Sequence, residues 1–178
     1  MKNVLEFLES SAPRFTDKTA FSGGEESLSF SELLRLSRAG GSALIAHGLK
    51  KEPVAVFMKK EPRTIAAFFA VIYAGCFYVP LDASMPLYRL QMILGKLLPR
   101  AVICDEDSRE LAERLSPEGS VIEASKLFKA EENAAALDAV RAESIDTDPV
   151  YIVFTSGSTG TPKGVMVTYA NLDHFIEW

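Results

Sequence analysis

The protein has 178 residues, 48% of them hydrophobic and 24% charged, and its net charge of −5 argues against a nucleic-acid-binding surface, which needs clustered Lys and Arg. The longest strongly apolar stretch, Ile65–Val79, is shorter than the roughly 20 residues that span a bilayer, so no membrane insertion is predicted. Cys76 and Cys104 are too few for a disulfide framework, and the first residues lack a signal-peptide pattern, so a cytoplasmic location is predicted.

The first predicted elements are a small hairpin and a helix over residues 20–48. Two short apolar segments flank a Gly-Gly turn, which is typical of a hairpin. Ser29 and Glu32 have the spacing of a capping box and therefore begin the helix. Gly48 ends it, because glycine tolerates the left-handed backbone of a helix C-terminus.

Residues 54–122 are predicted to form alternating strands and helices. Val54–Met58, Phe77–Leu81 and Ala101–Cys104 are apolar segments of strand length in which polar residues do not alternate. Such strands are buried on both faces, as in parallel sheets. The sequence therefore predicts an α/β fold, a layered and mostly parallel sheet with helices on both faces.

The amino-acid composition changes twice in the last third of the chain. Residues 128–148 are rich in alanine and acidic side chains, and we interpret them as a surface connector, with a solvated helix as the alternative. Residues 150–168 are predicted to form a strand, a loop and a second strand. A helix is predicted to start in 170–178.

The loop within 150–168 has the composition of an anion-binding segment. Its glycines let successive backbone N–H groups point into one concavity, its hydroxyls add donors without charge, and its lysine adds a positive charge on a flexible stem. The Walker pattern does not fit, since Pro162 stands where its second glycine would be and Gly164 follows the lysine. The predicted phosphate-binding residues are Thr155, Ser156, Gly157, Ser158, Thr159, Gly160, Thr161 and Lys163.

Three ordered segments resemble the AMP-forming adenylating enzymes, the superfamily of acyl-CoA synthetases, luciferases and adenylation domains of nonribosomal peptide synthesis. The run 151–165 is similar to the signature loop of that superfamily. Leu28–Leu33 resembles its early (T/S)-(Y/F)-x-E-L element, and Ala74–Asp82 resembles A-G-x-x-Y-V-P-L-D. The run 86–90 then fits P-x-x-R-L, and this combination is most similar to free-standing amino-acid ligases such as the D-alanine–carrier protein ligases.

The resemblance implies a function, and it also implies that the chain is one part of a larger domain. Enzymes of this superfamily use ATP and Mg²⁺ to join a carboxylic or amino acid to AMP, and then transfer the acyl group to the thiol of a phosphopantetheine carrier protein or coenzyme A. The chain is expected to be the N-terminal portion of their large domain, inactive in isolation. No catalytic or metal-binding residue is assigned within it, and self-association of the truncated domain is expected.

Two alternatives stay open at this stage. An acyl-CoA or aryl acid ligase would carry similar motifs, and Tyr169 stands where many relatives have histidine. A non-catalytic binding or scaffold module that uses part of the fold is the alternative from another functional class.

Overall fold

The computed structural model describes residues 3–116, 120–156 and 161–177 of the chain. Helices and strands alternate along it, as the apolar segments predict. In chain order the elements are α1 (Val4–Ser11), β1 (Thr19–Gly23), β2 (Glu26–Ser29), α2 (Phe30–Ala46), β3 (Pro53–Phe57), α3 (Pro62–Tyr73), β4 (Phe77–Leu81), α4 (Leu87–Leu97), β5 (Ala101–Cys104), α5 (Arg109–Leu115), β6 (Ser120–Glu123), α6 (Ala124–Leu127), α7 (Ala134–Ala142), β7 (Pro149–Ser156), β8 (Pro162–Thr168) and α8 (Tyr169–Glu177).

The main sheet has six strands in the order β6-β5-β3-β4-β7-β8. The pairs β5/β6, β3/β5, β3/β4 and β4/β7 are parallel, and β8 joins β7 in the antiparallel direction. Strands β1 and β2 form a separate antiparallel hairpin. The predicted α/β fold with a mostly parallel sheet is confirmed.

The sheet is covered by helices on both faces. Val54 and Val56 of β3 pack in one apolar cluster with residues of α2 and α3. Ala55 and Phe57, which alternate with them, pack in a second cluster with residues of α4 and α5. Because neighbouring side chains of a strand point to opposite faces, a strand covered on both sides needs apolar residues at every position.

Helix α2 begins and ends where local signals place it. The Ser29 side chain accepts a hydrogen bond from the backbone N–H of Glu32, and the Glu32 carboxylate accepts one from the Ser29 N–H, so the predicted capping box is confirmed. Gly48 follows the helix with φ of +77°, in the left-handed region.

Helix α3 is apolar on nearly every face because it is buried between neighbouring elements. Pro62 occupies its first turn, where a missing N–H costs no hydrogen bond, and eight of its residues are buried. Within the described parts of the chain, no helix has both the length and the apolar character required to cross a membrane.

Of the two interpretations of residues 128–148, the favoured surface connector needs correction, and the alternative of a solvated helix fits Ala134–Ala142. Ala134–Ala142 forms helix α7, whose Leu137 is buried against α2 and α3. The Leu137 side chain lies beside Gly41, where it would meet an added Cβ at 3.2 Å. The glycine lets this large apolar side chain approach closely, which helps to hold the alanine-rich helix at this place.

Candidate functional site

The predicted phosphate-binding residues lie on and between the last two strands of the sheet. In the β7–β8 pair Ser156 is opposite Pro162 and Thr155 is opposite Lys163, so a short connection joins the two strand ends. Four predicted ligands, Gly157, Ser158, Thr159 and Gly160, lie outside the described residues. The other four lie close together at one end of the hairpin: Thr155, Ser156, Thr161 and Lys163.

Lys163 is exposed, whereas Pro162 beside it is buried. The Thr155 hydroxyl donates to the Lys163 carbonyl at 3.4 Å, so it contributes to the hairpin itself. Gly164 lies against Ile152 of β7, and an added Cβ would come within 2.9 Å of the Ile152 Cγ2. A larger residue at this position would therefore push against the Ile152 side chain.

The site lies beside β4 and β7, two neighbouring strands whose connections to the next strand run towards opposite edges of the sheet. From β4 the chain crosses through α4 to β5 on one side of the sheet, and from β7 it turns to β8 on the other. In open α/β sheets ligands bind outside the carboxyl ends of such strands, since a crevice forms between the diverging connections.

A cavity of about 560 Å³ occupies this crevice. This volume is within the range of small-molecule sites. Its wall is mostly apolar, and Val153 and Phe154 of β7 connect it to the predicted phosphate-binding residues. Charged side chains lie at its rim. The apolar lining includes Met58, Phe68, Leu81, Met85 and Ile93, and the charged residues are Lys59, Lys60 and Asp82.

Asp82 at the rim is fixed by hydrogen bonds. Its Oδ1 accepts from the Ser84 hydroxyl at 2.6 Å and from the Ser84 N–H at 2.9 Å, and its Oδ2 lies 3.2 Å from the Lys60 Nζ. The Ser84 hydrogen bonds, with the help of Lys60, lower the pKa of this carboxyl to about 2. Asp82 is therefore a permanent anion that shapes the turn after β4.

Replacing Asp82 with asparagine is expected to remove a pH-dependent part of the stability. A folded pKa of about 2 lies below the unfolded value of roughly 3.9, so the stabilisation is present above about pH 4 and is lost as pH falls towards 2. Urea unfolding at about pH 5 and about pH 2.5 measures this effect. The midpoint difference between wild type and Asp82→Asn should shrink at the lower pH, and an equal difference at both would contradict it.

No metal centre is assigned among the described residues, which contain no group of three His, Cys, Asp or Glu side chains able to surround an ion. Lys59 is paired with Asp107, and Asp105 accepts from the backbone N–H of Lys59 and of Ser108. Asp105 and Asp107 thus join the segment after β5 to Lys59, just after β3.

Sequence reasoning missed one part of this site. The Lys96 ammonium, on the last turn of α4, donates to the Pro162 carbonyl at 3.0 Å. No local motif indicates this contact, because 66 residues separate its partners in the chain.

Comparison with known proteins gives a consistent result. The family model described as "AMP-binding enzyme" matches residues 8–178. A D-alanine--D-alanyl carrier protein ligase from Staphylococcus aureus (strain MRSA252) is 34% identical over 180 residues, an alignment that covers 100% of this chain and 34% of that relative. The protein of the same name from strain Newman gives the same values. The chain thus spans about a third of the length of the curated relatives it matches.

Solved structures share the fold. The nonribosomal peptide synthetase FmoA3, in its α-methyl-L-serine-AMP bound form, superposes with a TM-score of 0.82 at 23% identity, over 99% of this chain and 19% of that one. VinN superposes with a TM-score of 0.77 at 23% identity, over 94% of this chain and 46% of that one. The N-terminal subdomain of Klebsiella oxytoca NpsA gives 0.75 at 23% identity, over 95% and 42%.

Proposed function

Because this chain belongs to the AMP-binding enzyme family, we propose that its protein is an AMP-forming ligase that activates an amino acid with ATP, and that residues 155–163 hold the triphosphate. The observation that carries the proposal is the place of Lys163. It is exposed at the end of the β7–β8 hairpin. This end lies near the crevice between β4 and β7, where a cavity large enough for a small-molecule ligand is found.

The proposed reaction begins with a problem of charge. A carboxylate oxygen attacks the α-phosphorus of ATP, a bond forms between them, and the bond from that phosphorus to the leaving pyrophosphate breaks. Two anions must approach, and negative charge grows on pyrophosphate. Donors and a cation fixed in advance at the phosphates stabilise that transition state more than the separated reactants.

Lys163 supplies the cation in this proposal. Its ammonium is a compact charge on a flexible stem, so it can stay with the β- and γ-phosphates while pyrophosphate departs. The hydroxyls and backbone N–H groups of the neighbouring segment donate to phosphate oxygens without adding charge. ATP would bring Mg²⁺ with it, and we assign no ligand for that ion to this chain.

The second half-reaction transfers the acyl group. A thiolate, formed when the thiol loses its proton, attacks the acyl carbon of the adenylate, a carbon–sulfur bond forms, and AMP leaves with the oxygen that joined it to the acyl group. The 34% identical relatives are named D-alanine--D-alanyl carrier protein ligases. We therefore take D-alanine as the first candidate substrate and a carrier-protein phosphopantetheine as the acceptor thiol.

An ATP–pyrophosphate exchange screen of the whole protein containing residues 1–178 tests the proposal. Each amino acid is supplied in its D and L forms, with aryl and fatty acids as the comparison set. We expect exchange that depends on a small amino acid. Exchange with aryl or fatty acids alone would show that the substrate belongs to those classes and is not an amino acid. No exchange with any acid would refute the proposed activity.

We also expect the isolated polypeptide of residues 1–178 to self-associate. β8 is an edge strand of the sheet, and Val165 and Met166, which point to opposite faces of it, are 52% and 53% exposed. Light scattering should show species larger than a monomer, and Val165→Lys should shift them towards the monomer. Phe21→Lys, at an exposed apolar residue of the separate β1–β2 hairpin, is the control. A monodisperse wild-type monomer at high concentration would contradict this.

A further inference from the structure

Both peptide groups that flank the Lys163 Cα are held by side chains from other positions. The carbonyl of Pro162, in the peptide group before Lys163, accepts from the Lys96 Nζ at 3.0 Å. The carbonyl of Lys163, in the peptide group after it, accepts from the Thr155 hydroxyl at 3.4 Å. Fixing the two flanking peptide planes fixes φ and ψ between them, and therefore the direction in which the Lys163 side chain leaves the backbone.

The Lys96 side chain comes from a helix that is firmly attached to the sheet. Leu90, Ile93 and Leu94 of α4 are buried in the cluster that covers one sheet face, and Ile152 and Phe154 of β7 pack against that cluster. The backbone of Lys96 on this helix therefore has a fixed position relative to the β7–β8 hairpin. The hydrogen bond has a charged donor, and such bonds are stronger than those between neutral groups.

The two residues beside Lys163 are confined, but Lys163 itself is not. Pro162 is buried, and its ring fixes its own φ. Gly164 lies so close to Ile152 that an added Cβ would come within 2.9 Å of it. Lys163 itself is exposed, so no packing of its own orients it.

We propose that Lys96 is a positioning residue, which holds the backbone at Lys163 so that the Lys163 ammonium is aimed at the triphosphate. The inference rests on the function proposed above. Lys96 acts through the Pro162 carbonyl and does not touch the nucleotide. Its loss leaves the charge of Lys163 in place but lets the backbone that carries it move.

Steady-state ATP–pyrophosphate exchange with the whole protein is the first test, with Lys96→Met, Lys96→Arg and Lys129→Met. Lys96→Met should lower kcat/KM for ATP about tenfold and leave the KM of the amino acid unchanged, since a shift of about 1 Å at a reacting group can cost roughly a hundredfold. Lys96→Arg should recover most of the loss, because arginine can also donate to the carbonyl. Lys129→Met removes an equal charge from another exposed site and should match wild type.

A double-mutant cycle with Lys163→Ala separates positioning from any independent effect. If Lys96 acts through Lys163, Lys96→Met should have almost no further effect when Lys163 is already alanine. An equal loss in both backgrounds would overturn the proposal, and so would a Lys96→Met enzyme identical to Lys129→Met. Wild-type protein without any exchange would instead refute the proposed function, and the inference with it.

Amide hydrogen exchange gives a readout that does not need activity. Lys96→Met should speed exchange in residues 163–168, where the lost hydrogen bond lowers the cost of local opening, and leave exchange in β3 and β4 unchanged. Lys129→Met should leave 163–168 at the wild-type rate. Unchanged exchange at 163–168 in Lys96→Met would overturn the proposal.

Discussion

Replacement of Lys163 by alanine is expected to slow amino-acid-dependent ATP–pyrophosphate exchange about 5- to 150-fold, equivalent to about 1–3 kcal/mol of transition-state stabilisation. The reason is that the ammonium at the end of the β7–β8 hairpin is assigned to the charge that grows on departing pyrophosphate. Lys163 is exposed, so its removal should leave the fold intact. The rate constant for exchange at saturating amino acid, measured over a range of ATP concentrations, gives the effect.

The control for this experiment is Lys129→Ala, which removes an exposed lysine from a segment after α6. It should exchange at the wild-type rate, since general attraction of ATP by surface charge is screened in about 0.15 M salt. A Lys163→Ala protein that keeps the wild-type rate would remove Lys163 from the proposed role. An equal loss in both variants would assign the effect to overall charge.

A second large effect is expected at Gly41, where helices α2 and α3 are in close contact. An added Cβ would lie 2.5 Å from the Tyr73 Cβ and 3.2 Å from the Ala70 carbonyl oxygen. Neither neighbour can rotate away, because one atom is bonded to the backbone and the other belongs to it. Gly41→Ala should therefore lower the free energy of unfolding by about 1–3 kcal/mol, as overpacked core substitutions do.

Gly95→Ala is the matched control for Gly41→Ala. Gly95 is also inside a helix, α4, but nothing lies within 4 Å of an added Cβ there. Alanine should therefore raise the free energy of unfolding by about 0.5–1 kcal/mol, through helix propensity alone. Urea or guanidinium unfolding of the two variants measures both changes, and a Gly41→Ala protein as stable as Gly95→Ala would show that the helices can separate without cost.

Strands and helices with strong local signals could be predicted from the sequence. The apolar segments of β3, β4 and β5 are uninterrupted because each is covered on both faces, and that pattern alone indicates a parallel sheet. Helix α1 was not predicted, although Asn3 and Glu6 form a capping box there. Its short length gives little periodicity, so the capping box was the only available signal.

The error over residues 128–148 has a different cause. Helix α7 is rich in alanine, with five among its nine residues, and only Leu137 of it is buried, so its composition resembles that of a solvated segment. Its attachment depends on Gly41 and on a network in which Arg141 contacts Glu9 at 2.6 Å and the Tyr73 hydroxyl donates to Glu9 at 2.9 Å. These contacts join elements far apart in sequence, so no local pattern could reveal them.

The candidate site divides in the same way. The glycine, hydroxyl and lysine composition of residues 155–164 predicts an anion-binding segment without any structure. The cavity beside it and the Lys96 contact with Pro162 depend on the order of strands in the sheet and on the direction of α4. The chemical character of this segment can therefore be predicted from the sequence. The contacts that surround it depend on tertiary structure and cannot.

Transfer of ¹⁸O from a labelled amino acid to AMP tests the central claim most directly. The whole protein is incubated with ATP, the carboxyl-labelled substrate and hydroxylamine as the acceptor, and the nucleotide is analysed by mass spectrometry. Attack of the carboxylate on the α-phosphorus predicts AMP with one ¹⁸O atom. Unlabelled AMP, or label found in inorganic phosphate together with ADP, would contradict an AMP-forming ligase.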